Sequence, residues 1–220
     1  MLLGGYVVLP ERINELFIIT LLIFLSACAD KTSSYLKNFD KARNFYINKN
    51  LNKAILYLDK TLKLNPDYQP ALILLGKAYY YSGNKNTAKE IFHKLLDKNP
   101  DSIDALTWLV RIEGIDENKI KKGLEYCNRI LKNDSDNYMA HFFKGMMYDI
   151  NDKTKQAIIE YNTALQLEKI IYLAHIQLGN LYERKGLKDK AVVHFKKALM
   201  YNINSVEKFK LKEKIKENEK

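Results

Sequence analysis

Leu75-Gly76-Lys77-Ala78-Tyr79-Tyr80, followed by Ala88, Phe92 and Leu95 and closed by Asn99-Pro100-Asp101, decides the fold of this 220-residue chain. The stretch reads as two helices in succession, each with a small residue (Gly76, Ala88) and an aromatic three or four positions later (Tyr79, Phe92). Small side chains let partner backbones approach, and aromatics fill the wedge between neighbouring units. Proline after the second helix ends it and turns the chain.

The pattern repeats every 34 residues. A small residue recurs as Ala42, Gly76, Val110, Gly145 and Gly179, with an aromatic following as Phe45, Tyr79, Tyr148 and Tyr182; Glu113 interrupts that column. A second small position runs Ala54, Ala88, Gly123, Ala157 and Ala191, and a larger one runs Leu58, Phe92, Cys127, Tyr161 and Phe195. One extra residue lies between Val110 and Gly123, which makes the third unit the least regular. Pro66 and Pro100 close the first two units, and Ser135 stands at that place in the third, where a looser turn is expected.

These columns resemble the tetratricopeptide repeat over roughly Tyr35 to Ser205. The resemblance implies an all-α fold: a right-handed superhelix (α-solenoid) of about five helical hairpins plus a C-terminal capping helix. The units then span 35–68, 69–102, 103–137, 138–171 and 172–205, and 206–220 forms a charged cap or tail. In that last segment Phe209, Leu211 and Ile215 sit among six lysines and four glutamates. No hairpin of this kind buries its apolar face alone, so stacking supplies the core.

The N-terminus carries a different message. An apolar run from Leu16 to Leu25 leads into Ser26-Ala27-Cys28. Ten residues, all apolar but Thr20, suit a secretory segment and fall short of the roughly 20 a spanning helix needs. The order resembles a bacterial lipoprotein signal. It implies a signal peptide over 1–27, acylation of Cys28, and a short linker at 28–34. Glu11, Arg12 and Glu15 leave the leading segment without the usual positive charge, and a mis-assigned start codon is one explanation. Ala29 in place of an aspartate retention signal implies sorting to the outer membrane, facing the periplasm.

The chain carries a formal charge of +10, and +11 from Cys28 onward because residues 1–27 hold one Arg against two Glu. Basic chains often bind nucleic acid. An exported lipoprotein does not meet it, so anionic lipid headgroups or acidic protein segments are the expected counterparts. With Cys28 acylated, Cys127 is a lone thiol, and its column marks it as a small core residue.

Catalytic signatures are missing from the sequence: there is no phosphate-cradling glycine loop, no His-Glu-x-x-His and no Cys-x-x-Cys. His141 and His175 share a column in consecutive units, roughly 10 Å apart, too far for one metal ion. No catalytic residue, metal site, cofactor or small-molecule substrate is expected. The candidate binding surface lies on the first helix of each unit, which in the family lines the concave groove. Arg43, Lys77 and Arg111 follow the small column and give way to Met146 and Asn180; one turn later come Tyr46, Tyr80 and Gly114, then Asp149 and Glu183. The resemblance implies a groove with a basic, tyrosine-bearing N-terminal half and an apolar-to-acidic C-terminal half, suited to an acidic peptide. The expected function is a lipid-anchored scaffold for other proteins at a bacterial envelope. The alternative is an accessory protein binding anionic glycan or lipid through the same basic face.

Overall fold

The computed structural model describes residues 32–114, 119–167, 172–201 and 203–219. The signal segment and Cys28 lie outside them. Among the described residues all regular structure is helical, and no helix is long and apolar enough to cross a membrane. Helix α1 covers 32–47, so residues 32–34, read from the sequence as linker, are helical. It is followed by α2 (Leu51–Leu64), α3 (Gln69–Tyr81), α4 (Lys85–Lys98) and α5 (Ile103–Leu109). Then come α6 (Ile120–Asn133), α7 (Tyr138–Ile150), α8 (Thr154–Leu167), α9 (Tyr172–Arg184), α10 (Lys188–Leu199) and α11 (Ser205–Asn218). The chain divides into two compact units, 1–88 and 89–220, with α4 crossing the division.

Local chemistry starts and stops these helices. The side chains of Asn50, Ser102, Asn137 and Asn204 accept from backbone N–H groups of the first turns of α2, α5, α7 and α11. Pro70 sits in the first turn of α3, where its missing N–H costs nothing. Each described hairpin turn closes alike. The N–H groups of Asn50, Asn84, Lys153 and Leu187 donate to the carbonyls of Phe45, Tyr79, Tyr148 and Tyr182 at 2.8–2.9 Å. The residue before each donor has positive φ: Lys49 (58°), Gly83 (91°), Asp152 (55°) and Gly186 (72°).

Proline proves dispensable between units. Tyr68 N–H donates to Asn65 O at 3.2 Å in the first closing turn, and Asn137 N–H donates to Asp134 O at the same distance in the third. There the Asn137 amide also reaches the Asp134 carboxylate at 2.9 Å, so a side-chain bond holds the turn expected to be loose.

In the first unit Ala42, Ala54, Leu58, Ala71 and Ala78 are fully buried. In the second, the glycine columns show what the small residues do. A Cβ on Gly145 would meet the Tyr161 ring at 2.6 Å, and one on Gly179 would overlap the Phe195 ring. The aromatics of α8 and α10 therefore pack over the glycines of their own hairpins. Phe92 of α4 instead stacks on Trp108 of α5 with centroids 5.7 Å apart, filling the wedge between neighbouring repeats as the sequence leads one to expect. The third unit differs. After Leu109 the chain enters a π-helical turn, Val110–Gly114, inside the window that holds the extra residue. This carries Gly114 out of the groove column and against α6: a Cβ there would stand 2.8 Å from the Gly123 Cα.

Helix α11 closes the array. Leu211 and Ile215 join Ala191, Val192, Phe195 and Ala198 of α10 in one apolar cluster, while Phe209 is two-thirds exposed. Cys127 is fully buried, and burial pushes its thiol up to about 12, which leaves it protonated and unreactive.

Candidate functional site

In the first unit the face offered by the first helices is aromatic and basic. Arg43 is exposed on α1 and pairs loosely with Asp40 at 3.8 Å. Tyr46 is half-buried, and burial followed by the neighbouring Tyr81 raises its pKa. Its ring meets that of Tyr81 edge-on with centroids 6.4 Å apart, and Tyr81 in turn contacts Tyr80 at 5.3 Å. The Lys85 ammonium lies 5.8 Å over the Tyr80 ring. Lys77 is half-buried on the same helix as Tyr80. Tyr81, 56% exposed, belongs to this cluster although its position gave no periodic signal.

In the second unit the corresponding face runs across α5, α7, α9 and α11. The Arg111 guanidinium lies between two rings, 5.1 Å from Trp108 and 5.6 Å from Phe143, and its buried Nε has no hydrogen-bond partner. Met146 is half-buried on α7. Asp149 holds Arg184 through both carboxylate oxygens at 2.6 and 2.7 Å. Asn180 presents a buried Oδ1 without a partner. Glu183 accepts from Lys214 and, at 2.6 Å, from the Asn218 amide. Burial pushes the Glu183 carboxyl up, but these two hydrogen bonds and the Lys214 charge outweigh it and leave the group below its usual value.

This arrangement corrects the charge contrast expected from sequence. Asp149 and Glu183 are present, yet each is neutralised by a cation from the next first helix, so the C-terminal half is not an acidic surface. Lys214 lies 34 residues beyond Asn180 and extends the same column; treating 206–220 as a plain cap hid it.

Glu113, the column breaker, is 7% exposed. Lys122 approaches at 3.0 Å, Lys89 at 3.7 Å and His93 at 3.5 Å, and the Tyr126 hydroxyl donates at 3.3 Å. Burial alone would raise its pKa; Lys122 first, then His93, reverse this and hold it below the usual carboxylate range. A charged hub thus occupies the place of an aromatic.

The histidines also find specific partners. His141 pairs with Glu160 at 2.6 Å. His175 and His194 face each other with Nδ1 atoms 3.1 Å apart, beside a cavity of about 380 Å³ lined also by Asn162, Gln166, Lys197 and Tyr201. Their ring centroids are 5.3 Å apart, the nitrogen separation plus about two ring radii, so the nitrogens point along one line. That geometry fits a shared N–H···N bond. His194 is pushed down to about 4 by burial, then by His175 and Lys197. Sequence spacing suggested His141 and His175 as neighbours; the structure joins His175 to His194 instead. Among the described residues no three His, Cys, Asp or Glu side chains are grouped to hold a metal ion.

Comparison with known proteins agrees with this architecture. Tetratricopeptide-repeat family models match residues 45–112 and 172–202. A thermophilic repeat protein of Thermus thermophilus is 18% identical, superposes with a TM-score of 0.69, and is matched over 84% of this chain and 98% of its own. PilW, a type IV pilus biogenesis factor, gives 18% identity and a TM-score of 0.74 over 84% of this chain and 86% of its own. MamA is 26% identical, with a TM-score of 0.60 over 78% of this chain and 92% of its own. No curated protein matches the sequence. Hairpin geometry, glycine columns and family matches converge: the chain is a tetratricopeptide-repeat protein.

Proposed function

We propose that this protein is a scaffold that captures segments of other proteins on the faces of its first helices, and that it does so tethered to the outer membrane through an acylated Cys28. The observation that carries the binding reading is Arg111. Its guanidinium is pre-oriented between Trp108 and Phe143, so little side-chain entropy is lost when a carboxylate or peptide carbonyl engages its outer edge. The tyrosine cluster of the first unit adds broad contact area with few rotatable bonds. Relatives of the same architecture include a pilus biogenesis factor, in keeping with an assembly role and with no chemical step for these residues. The anchor rests on the order of the apolar run, Ser26-Ala27 and Cys28.

The test is affinity purification of the tagged protein from detergent extract, with partners identified by mass spectrometry. Reversing Arg43, Lys77 and Arg111 to Glu is expected to strip the captured proteins while the helical circular-dichroism signal persists. Undiminished capture would refute the face assignment. Cys28→Ala is expected to abolish palmitate labelling; unchanged labelling would refute the anchor.

A further inference from the structure

A second surface of this chain shares no residue with the face just described. Helix α6 is 14 residues long, about 21 Å at 1.5 Å per residue, and one side of it borders a trough of about 830 Å³. Ile120 and Leu124 form an apolar floor spaced one turn apart. Lys121 and Lys132 stand exposed at either end of the helix, and Lys153 rises from the α7–α8 turn on the opposite bank. Arg129 adds a fourth cation, steadied by its bond to the Pro100 carbonyl, against one carboxylate, Glu125, among the described residues that line the trough.

Charge, shape and length select an occupant. Four cations around an apolar strip complement a segment that alternates carboxylates with aliphatic side chains. A helix with its side chains is about 10–12 Å across and lies in such a trough along α6. A bilayer surface is flat on this scale and does not enter a recess. A second copy of this chain, at +10, brings the same sign of charge. We infer that the α6 trough is a docking site for an acidic amphipathic helix of a partner protein, distinct from the first-helix face that carries the scaffold reading.

The test uses the full chain in non-ionic detergent and a fluorescein-labelled 16-residue peptide. Its leucines are spaced i, i+3, i+4 and i+7 with glutamates on both flanks, and a control peptide carries glutamine for every glutamate. Fluorescence anisotropy is expected to show the acidic peptide binding about tenfold or more tightly than the control, with affinity falling as salt rises. The triple change Lys121→Glu, Lys132→Glu, Lys153→Glu is expected to remove that preference, and the glutamine version of the same triple to lower it by several fold. In an Arg43→Glu, Lys77→Glu background the same loss on changing Lys121, Lys132 and Lys153 is expected, which separates this site from the proposed scaffold face. Equal affinity for both peptides, or an acidic-peptide affinity indifferent to the Lys121, Lys132 and Lys153 changes, would overturn the inference. So would a triple variant that loses binding to phosphatidylglycerol vesicles while keeping peptide affinity, since the trough would then be a membrane contact.

Discussion

In the fifth hairpin, Gly179 of α9 lies under the ring of Phe195; in the third, Gly114 faces Gly123 backbone to backbone. The two hairpins start from one column, which reads Phe92, Cys127, Tyr161 and Phe195. Where a ring is available, glycine makes room for it. Where the column holds only Cys127, no ring separates the helices, and the second close contact is glycine on glycine, with Met147 Sδ 2.5 Å from where a Gly123 Cβ would be. The π-helical turn brings Gly114 to that contact, and Glu113 beside it exchanges an aromatic for a charged hub. One repeat thus tolerates two packing solutions, provided the volume between its helices is closed.

The comparison can be broken at its largest element first. Phe195→Ala is expected to cost about 3–5 kcal/mol, because the ring is fully buried and supports both α9 and the α11 cap. Cys127→Ala in the third hairpin is expected to cost well under half of that; thermal melts followed by circular dichroism at equal concentration compare them. A reversed order would mean that the third hairpin, not the fifth, is the better-filled one.

Adding a methyl group is the next strongest probe. Gly123→Ala is expected to destabilise by about 2–3 kcal/mol, because besides the movable Met147 Sδ the new methyl group would meet the Gly114 backbone at 2.7 Å, which cannot turn aside. Gly179→Ala is expected to cost about 1–2 kcal/mol, since the Phe195 ring can tilt and alanine favours the helix. Urea titration gives both values, and a smaller loss at Gly123 would contradict backbone contact there.

Glu113→Gln sharpens the electrostatic half of the contrast, with an expected loss of about 1–2 kcal/mol at neutral pH. The folded-state pKa of Glu113 is lowered, so its contribution is present above the unfolded-state carboxylate value and fades as pH falls through the folded one. The Gln variant should show a flatter stability profile across that acidic window. At neutral pH the smallest effect is expected at His194, which faces His175, Lys197 and the Tyr182 ring. Its folded pKa, about 4, lies below the ordinary value of 6.5, so the unfolded chain binds more protons between them. Stability is therefore lost as pH falls from about 6.5 toward 4, and His194→Phe should reduce that slope in melts taken at successive pH values.

The repeat was legible because close packing imposes its period on small residues: Gly145, Gly179 and Ala157 report the spacing whatever surrounds them. The extra residue before Gly123 was equally visible, but its form was not, since an insertion can be absorbed in a turn or inside a helix. The columns align Arg43, Lys77, Arg111 and Asn180 as the proposed binding face, whereas the pairing of its charges was not legible. Asp149 meets Arg184 and Glu183 meets Lys214 across successive first helices, and neither column alone shows that the other neutralises it. His175 and His194 sit in different columns on opposite helices, and only rotamers bring their nitrogens into line.

The hairpin turns reveal where this chain has stability in reserve. Each needs one residue in the left-handed backbone region, and two of the four described turns meet that need with Lys49 and Asp152. A side chain there costs about 1 kcal/mol relative to glycine, partly offset by the freedom glycine adds to the unfolded chain. The first and fourth hairpins are thus held slightly tense at their tips, outside the packed columns that set the period. Natural variation or deliberate engineering could firm or soften a single repeat at these two points while leaving its interior as it stands.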